Sequence, residues 1–202
     1  QVAYNLQLAS AKAIQAYRQI NRNPASRVTI ALNLTPAYPA SQSEEDLAAA
    51  HFANLFVNRL FLDASVKGHF PEELVSILAK DGVLWESTPE ELAIIRDNRV
   101  DYIGVNYYHP HRVKAPEISP NSLTVDWMPQ RYFNDYQMPG RRMNVDKGWE
   151  IYPQALYDIA KNLQDNYDNI PWFVSENGIG VSREERYLDQ TGIIQDHYRI
   201  QF

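Results

Sequence analysis

"WFVSENGIGV", residues 172–181, decides how this chain is read. Trp172, Phe173 and Val174 form an apolar, strand-favouring run. Glu176, Asn177 and Gly178 then turn the chain, and glycine accepts backbone angles that other residues resist. A carboxylate therefore stands at the mouth of a strand. Two earlier runs have the same character. "RVTIALNLTPAYP" predicts a strand near residues 28–34, stopped by Pro36 and Pro39. "VDYIGVNYY" predicts another near residues 100–107. Helical patterns separate the three, so the order is that of βαβ units around a parallel sheet. Both a doubly wound sheet and a (β/α) barrel are built this way. Three strands are too few for a barrel of eight, so a barrel would lie largely outside these residues.

The helices have clear signals. Val2, Leu6, Ala9, Ala13, Ala16 and Ile20 recur at three- and four-residue steps. "NRNP", residues 21–24, ends that pattern. Ser43 is an expected N-cap with Asp46 three residues on, and Leu47, Phe52, Leu55 and Leu60 supply an apolar face. A short helix is expected within residues 70–82, closed by Gly82. Thr88 caps another, with Pro89 at its first position. "YPQALYDIAKNLQDNY" predicts a helix from Pro153. Residues 109–148 read as one long irregular stretch, a length that points to function or to small elements of its own.

Alternation assigns faces. Thr29, Ala31, Asn33 and Thr35 oppose Val28, Ile30, Leu32 and Leu34. Tyr102, Gly104, Asn106 and Tyr108 oppose Ile103, Val105 and Tyr107. Strict alternation groups Glu176 with Trp172 and Val174. Polar side chains gather at the C-terminal strand ends, where parallel α/β folds bind their ligands.

Composition narrows the class. The 202 residues are 45% hydrophobic and 22% charged with net charge -6, a globular balance. No basic cluster or finger spacing points to nucleic acid. There are no cysteines, hence no disulfide framework or thiolate metal site. No apolar run has transmembrane length and no signal peptide opens the chain, so neither membrane nor export is expected. His109 and His111 share an i, i+2 spacing, but Pro110 and the lack of acidic neighbours in sequence argue against a metal pair. With Arg112 they are expected to border a substrate mouth. No phosphate-binding glycine loop and no nucleophile elbow appear.

Four segments together resemble glycoside hydrolase family 1, the retaining β-glycosidases built on a (β/α)8 barrel. "VSENGIG" (174–180) resembles its Thr-Glu-Asn-Gly signature, with Ser175 for Thr. "DYIGVNYY" (101–108) resembles its sixth strand. "GWEIYPQAL" (148–156) resembles the segment between the two, with Ala155 where Gly is usual. "YNLQLASAKAIQAYR" (4–18) resembles the helix after the family's Asn-Glu-Pro strand.

The resemblance implies an α/β fold comprising about strands 5 to 7 of the barrel with their helices. Residues 1–202 would then be one barrel domain, incomplete at both ends. It implies Glu176 as the catalytic nucleophile, supported by Asn106 and Tyr108, whose hydroxyl would help keep the carboxylate ionised. Trp149 would be a sugar platform on the aglycone side. No cofactor or metal is implied. The partner acid/base Glu of the family's Asn-Glu-Pro motif is not in the chain, so these residues alone are expected to be inactive. The wording around 144–153 and 175–200 is most similar to bacterial 6-phospho-β-glucosidases, which act on phosphorylated sugars in the cytoplasm. Unphosphorylated β-glucosides are the alternative substrate class, and a non-catalytic sugar-binding half-barrel is the alternative of another kind. Open sheet edges make association expected, a homo-oligomer included.

Overall fold

The computed structural model describes residues 1–117 and 127–202. Its main sheet holds β1 (Thr29–Asn33), β3 (Tyr102–Asn106) and β8 (Trp172–Glu176), all parallel in the order β1-β3-β8. These are the three strands expected from sequence. α1 (Val2–Ile20) precedes β1; α2 (Glu44–Asn54), α3 (Leu60–Val66), α4 (Glu72–Lys80) and α5 (Pro89–Asp97) lie between β1 and β3, and α6 (Gln154–Asn166) between β3 and β8. The cap signals act as read. The Ser43 side chain accepts from the Asp46 N–H, and Thr88 with Glu91 closes a full capping box. A π turn, Leu55–Arg59, joins α2 to α3.

The sheet's outer face packs on helices. Leu32, Leu34, Ile103, Val105 and Tyr107 are buried with Ile14, Leu62, Ile159 and Leu163. Each fully buried aliphatic side chain contributes about 1.5–3 kcal/mol over leaving it in water. The faces assigned to β1 and β3 by alternation are those observed. A buried Asp63 ties the helices together: it accepts from the Tyr167 hydroxyl and pairs with Arg59 at 2.9 Å.

Just past the strand ends the pairing continues in a smaller sheet. β2 (Ala37–Pro39) pairs in parallel with β4 (His111–Lys114), and β4 pairs antiparallel with β5 (Asn134–Asp135). β6 (Met143–Asn144) and β7 (Trp149–Glu150) form a hairpin. The stretch 109–148 thus carries small elements of its own; its residues 118–126 lie outside those described. A short α7 (His197–Ile200) is the last element.

Asn58 in the π turn fixes the exit of β1. Its Oδ1 accepts from the Thr35 N–H at 2.8 Å, and its Nδ2 donates to the Thr35 carbonyl at 2.9 Å. A side-chain amide thereby satisfies both backbone groups of a buried residue that has left the ladder.

Candidate active site

The third strand breaks the alternation expected of it. Val105 faces Val174, but Asn106 faces Glu176, so Ser175 is an extra residue in the ladder. This is a β-bulge, in which two residues oppose one and the strand is re-aimed. Below it, Trp172 packs on the helical core and Phe173 lies 6.0 Å from Tyr102 on the inner face. Strict alternation would send Glu176 outward with Trp172 and Val174. The bulge returns it to the side of Asn106, which corrects the face assigned from sequence.

The bulge is held by named contacts. The Ser175 hydroxyl donates to Asn106 Oδ1 at 2.6 Å. Gly104 leaves the room: a Cβ there would stand 3.0 Å from Ser175 Oγ and 3.4 Å from Ala31 Cα. The Tyr107 N–H donates to the Glu176 carbonyl at 3.0 Å, and Asn177 Nδ2 donates to the Tyr107 carbonyl at 2.6 Å. Asn177 therefore fixes the turn, and Gly178 follows at φ +151°.

The carboxylate of Glu176 accepts a hydrogen bond from the Tyr108 hydroxyl. That bond, followed by partial burial, raises the Tyr108 phenol above its ordinary value. Around Tyr108 the rings gather. Trp149 lies 5.2 Å from Tyr108 and 5.2 Å from His109. Lys147 Nζ stands 5.1 Å from the Trp149 ring centre. Glu176, Tyr108, Asn106 and Trp149, singled out separately in sequence, thus form one connected group at the C-terminal ends of parallel strands. Glu176 itself is exposed while Tyr108, Asn106 and Trp149 are half-buried.

Arg112 does not border this mouth as expected. Its Nε and Nη2 donate to Glu150 at 3.1 and 2.7 Å. Its guanidinium lies 4.6 Å from the Tyr152 ring centre and 4.9 Å from that of Tyr38. Glu150, foremost by its hydrogen bonds, raises the Arg112 pKa. This buried pair lies behind the site and anchors β7, the strand that carries Trp149. His111 turns to Asp135 at 2.9 Å, a partner too distant in sequence to be foreseen. Among the described residues no group of three metal-ligating side chains occurs, and no helix is long and apolar enough to cross a membrane.

Sequence reading missed Lys147 and the lock beside it. Asp146 accepts from the Ser182 hydroxyl at 2.6 Å and from Arg186 at 2.9 Å, joining the β6–β7 turn to the loop after Glu176. Asp-Lys-Gly is a turn signal, but nothing local names the partners across 36 and 40 residues.

The model of glycosyl hydrolase family 1 matches residues 1–202. The 6-phospho-beta-glucosidase GmuD of Bacillus subtilis is 52% identical over 202 residues, all of this chain and 43% of that protein. Beta-glucosidase A of Acetivibrio thermocellus is 30% identical, over all of this chain and 42% of that one. Among solved structures, a family 1 β-glucosidase from Thermotoga maritima superposes with TM-score 0.78 at 26% identity, covering 98% of this chain and 40% of that one. The chain thus spans less than half the length of the relatives it matches. The three parallel strands and their helices are part of a (β/α)8 barrel.

Proposed function

The chain belongs to glycosyl hydrolase family 1, and from that premise we propose that the protein hydrolyses 6-phospho-β-glucosides with retention, Glu176 being the nucleophile. The observation that carries this is the Glu176 carboxylate, brought inward by the bulge and held by the Tyr108 hydroxyl beside the Trp149 ring. A retaining glycosidase works with two carboxyl groups. Glu176 attacks the anomeric carbon while the second, protonated group gives its proton to the departing oxygen. The old C–O bond breaks and a glycosyl ester forms on Glu176. The second group, now a base, takes a proton from water, whose oxygen displaces Glu176 and completes the cycle.

Within this reading Tyr108 and Asn106 position the nucleophile. Trp149 offers its face to the aglycone, since an aromatic ring suits the apolar side of a sugar. The acid/base carboxylate belongs to a part of the protein outside residues 1–202, which are one portion of a single barrel domain. On their own these residues are inactive. The phosphorylated substrate rests on the similarity to GmuD, and a cytoplasmic location goes with a substrate of that kind. The β-glucosidase relatives favour a second reading, in which the sugar is unphosphorylated.

The test is Glu176→Gln in the intact enzyme, assayed on p-nitrophenyl 6-phospho-β-glucoside and its unphosphorylated counterpart. Turnover should fall at least about a thousandfold with the circular dichroism unchanged, as when a nucleophile is removed. Retention of most activity would sink the assignment. Preference for the unphosphorylated compound in the parent enzyme would favour the second reading.

A further inference from the structure

Lys147 is a cation beside the site that the chemistry above does not use. Its backbone N–H donates to Asn144 Oδ1 at 2.8 Å within the β6–β7 turn. Its stem lies along the backbone of Gly180. A Cβ built there would come within 2.7 Å of Lys147 Cε and 2.9 Å of Cγ. The bare glycine is what lets the side chain lie there. The neighbouring Asp146 is gripped by Ser182 and Arg186, so the turn is tied to the loop after Glu176. The stem is thus placed from both sides, and its ammonium stands by the Trp149 ring.

The charge at that position meets the Trp149 ring but no carboxylate. Arg112, Arg186, Arg199 and Lys114 each have a carboxylate within 4 Å. Among the described residues Lys147 has none. An ammonium carries three donors and is strongly hydrated. A lone charge of that kind beside an aromatic platform can exchange its water for oxygens of whatever lies on the ring.

We propose that Lys147 is a specificity-determining residue, donating charged hydrogen bonds to an oxygen-rich aglycone, a second sugar, seated on Trp149. This rests on the reading that Glu176 and Trp149 form the reaction site. An aryl aglycone satisfies the ring but presents no comparable set of oxygens. Lys147 therefore separates the two aglycone classes, because a site built to hydrogen-bond a substrate group discriminates against one that lacks it. Gly180 acts through Lys147 as a positioning residue.

The intact enzyme is assayed on cellobiose 6'-phosphate and on p-nitrophenyl 6-phospho-β-glucoside. Lys147→Met keeps the stem and removes the charge. Gly180→Ala keeps the charge and displaces the stem. In both variants kcat/KM for the disaccharide should fall about tenfold further than for the aryl glycoside, mostly through KM, the size of one charged hydrogen bond. An equal fall on both substrates would place the cation at the phosphorylated sugar and overturn the proposal, as would no fall in Lys147→Met. Should Gly180→Ala fail to fold, Lys147→Met alone decides. A parent enzyme inactive on both substrates refutes the underlying reading before any variant is made, and this inference falls with it.

Discussion

Removing Arg112 should cost more stability than any other single change near the site. Arg112 is 11% exposed and Glu150 5%, and they share two hydrogen bonds. Arg112→Met leaves Glu150 buried with no other side-chain partner among the described residues. Breaking a buried pair in this way costs about 3–5 kcal/mol. The guanidinium also serves the rings of Tyr38 and Tyr152, each contact contributing about 0.5–2 kcal/mol. The expected loss is therefore roughly 4–9 kcal/mol. Glu150→Met should cost less, roughly 2–3 kcal/mol, because Arg112 keeps both rings and has a longer reach to water. The double variant should recover much of the loss, since a well-packed apolar pair often equals a buried ion pair. Urea unfolding of the four proteins gives the cycle, read from midpoints at constant slope. A coupling energy above about 2 kcal/mol is expected. A cost under about 1 kcal/mol for Arg112→Met, or single losses that add within about 0.5 kcal/mol, would refute the coupling.

Tyr108→Phe in the intact enzyme should lower kcat about tenfold or more, the effect of losing one hydrogen bond to a charged group. Difference titration of the phenols should show that the lost residue titrates above 10.0, because Glu176 accepts from its protonated form. This bond's contribution is full below 10.0 and disappears as pH rises through the higher folded value. Asp189 accepts from the Thr191 hydroxyl and the N–H groups of Ile193 and Thr191, which pull its carboxyl down from 3.8 to about 2. Its contribution is present above 3.8 and lost as pH falls through about 2. A carbon-detected NMR titration with a midpoint near 4 would refute this. Thr88→Ala, which removes the capping box of α5, should cost about 1 kcal/mol by urea unfolding. A change below about 0.3 kcal/mol would mean the box is decorative.

Much of the architecture was legible because it is written in short-range terms. The period of α1, the caps at Ser43 and Thr88, and the alternating faces of β1 and β3 each depend on residues a few positions apart. The residues proposed for the site were singled out through motifs, and the structure brings them together. What stayed hidden depends on partners brought together from afar. Arg112 reads locally as a rim residue, and only its meeting with Glu150, 38 positions on, makes it structural. The face of Glu176 was misassigned because a bulge is a property of two strands in register, and one strand read alone carries only its alternation. The role of Lys147 depends on an empty position at Gly180, and an absence of atoms has no signature until the loop is placed.

The extra residue at Ser175 makes the site a matter of parity. In a pleated strand each residue counted or omitted exchanges inside for outside. Glu176 reaches the interior because the strand holds one residue more than its neighbour requires. Deleting Ser175 would spare Glu176, Asn106, Tyr108 and Trp149, yet it would put the exit of β8 under conflicting demands. Either Glu176 turns toward the helices, or the strand slips and carries Trp172 out of the core. Substitutions at position 175 are therefore graded in effect, whereas a change of strand length there is all or none. In the proposed mechanism, length between Trp172 and Glu176 then matters as much as the carboxylate itself.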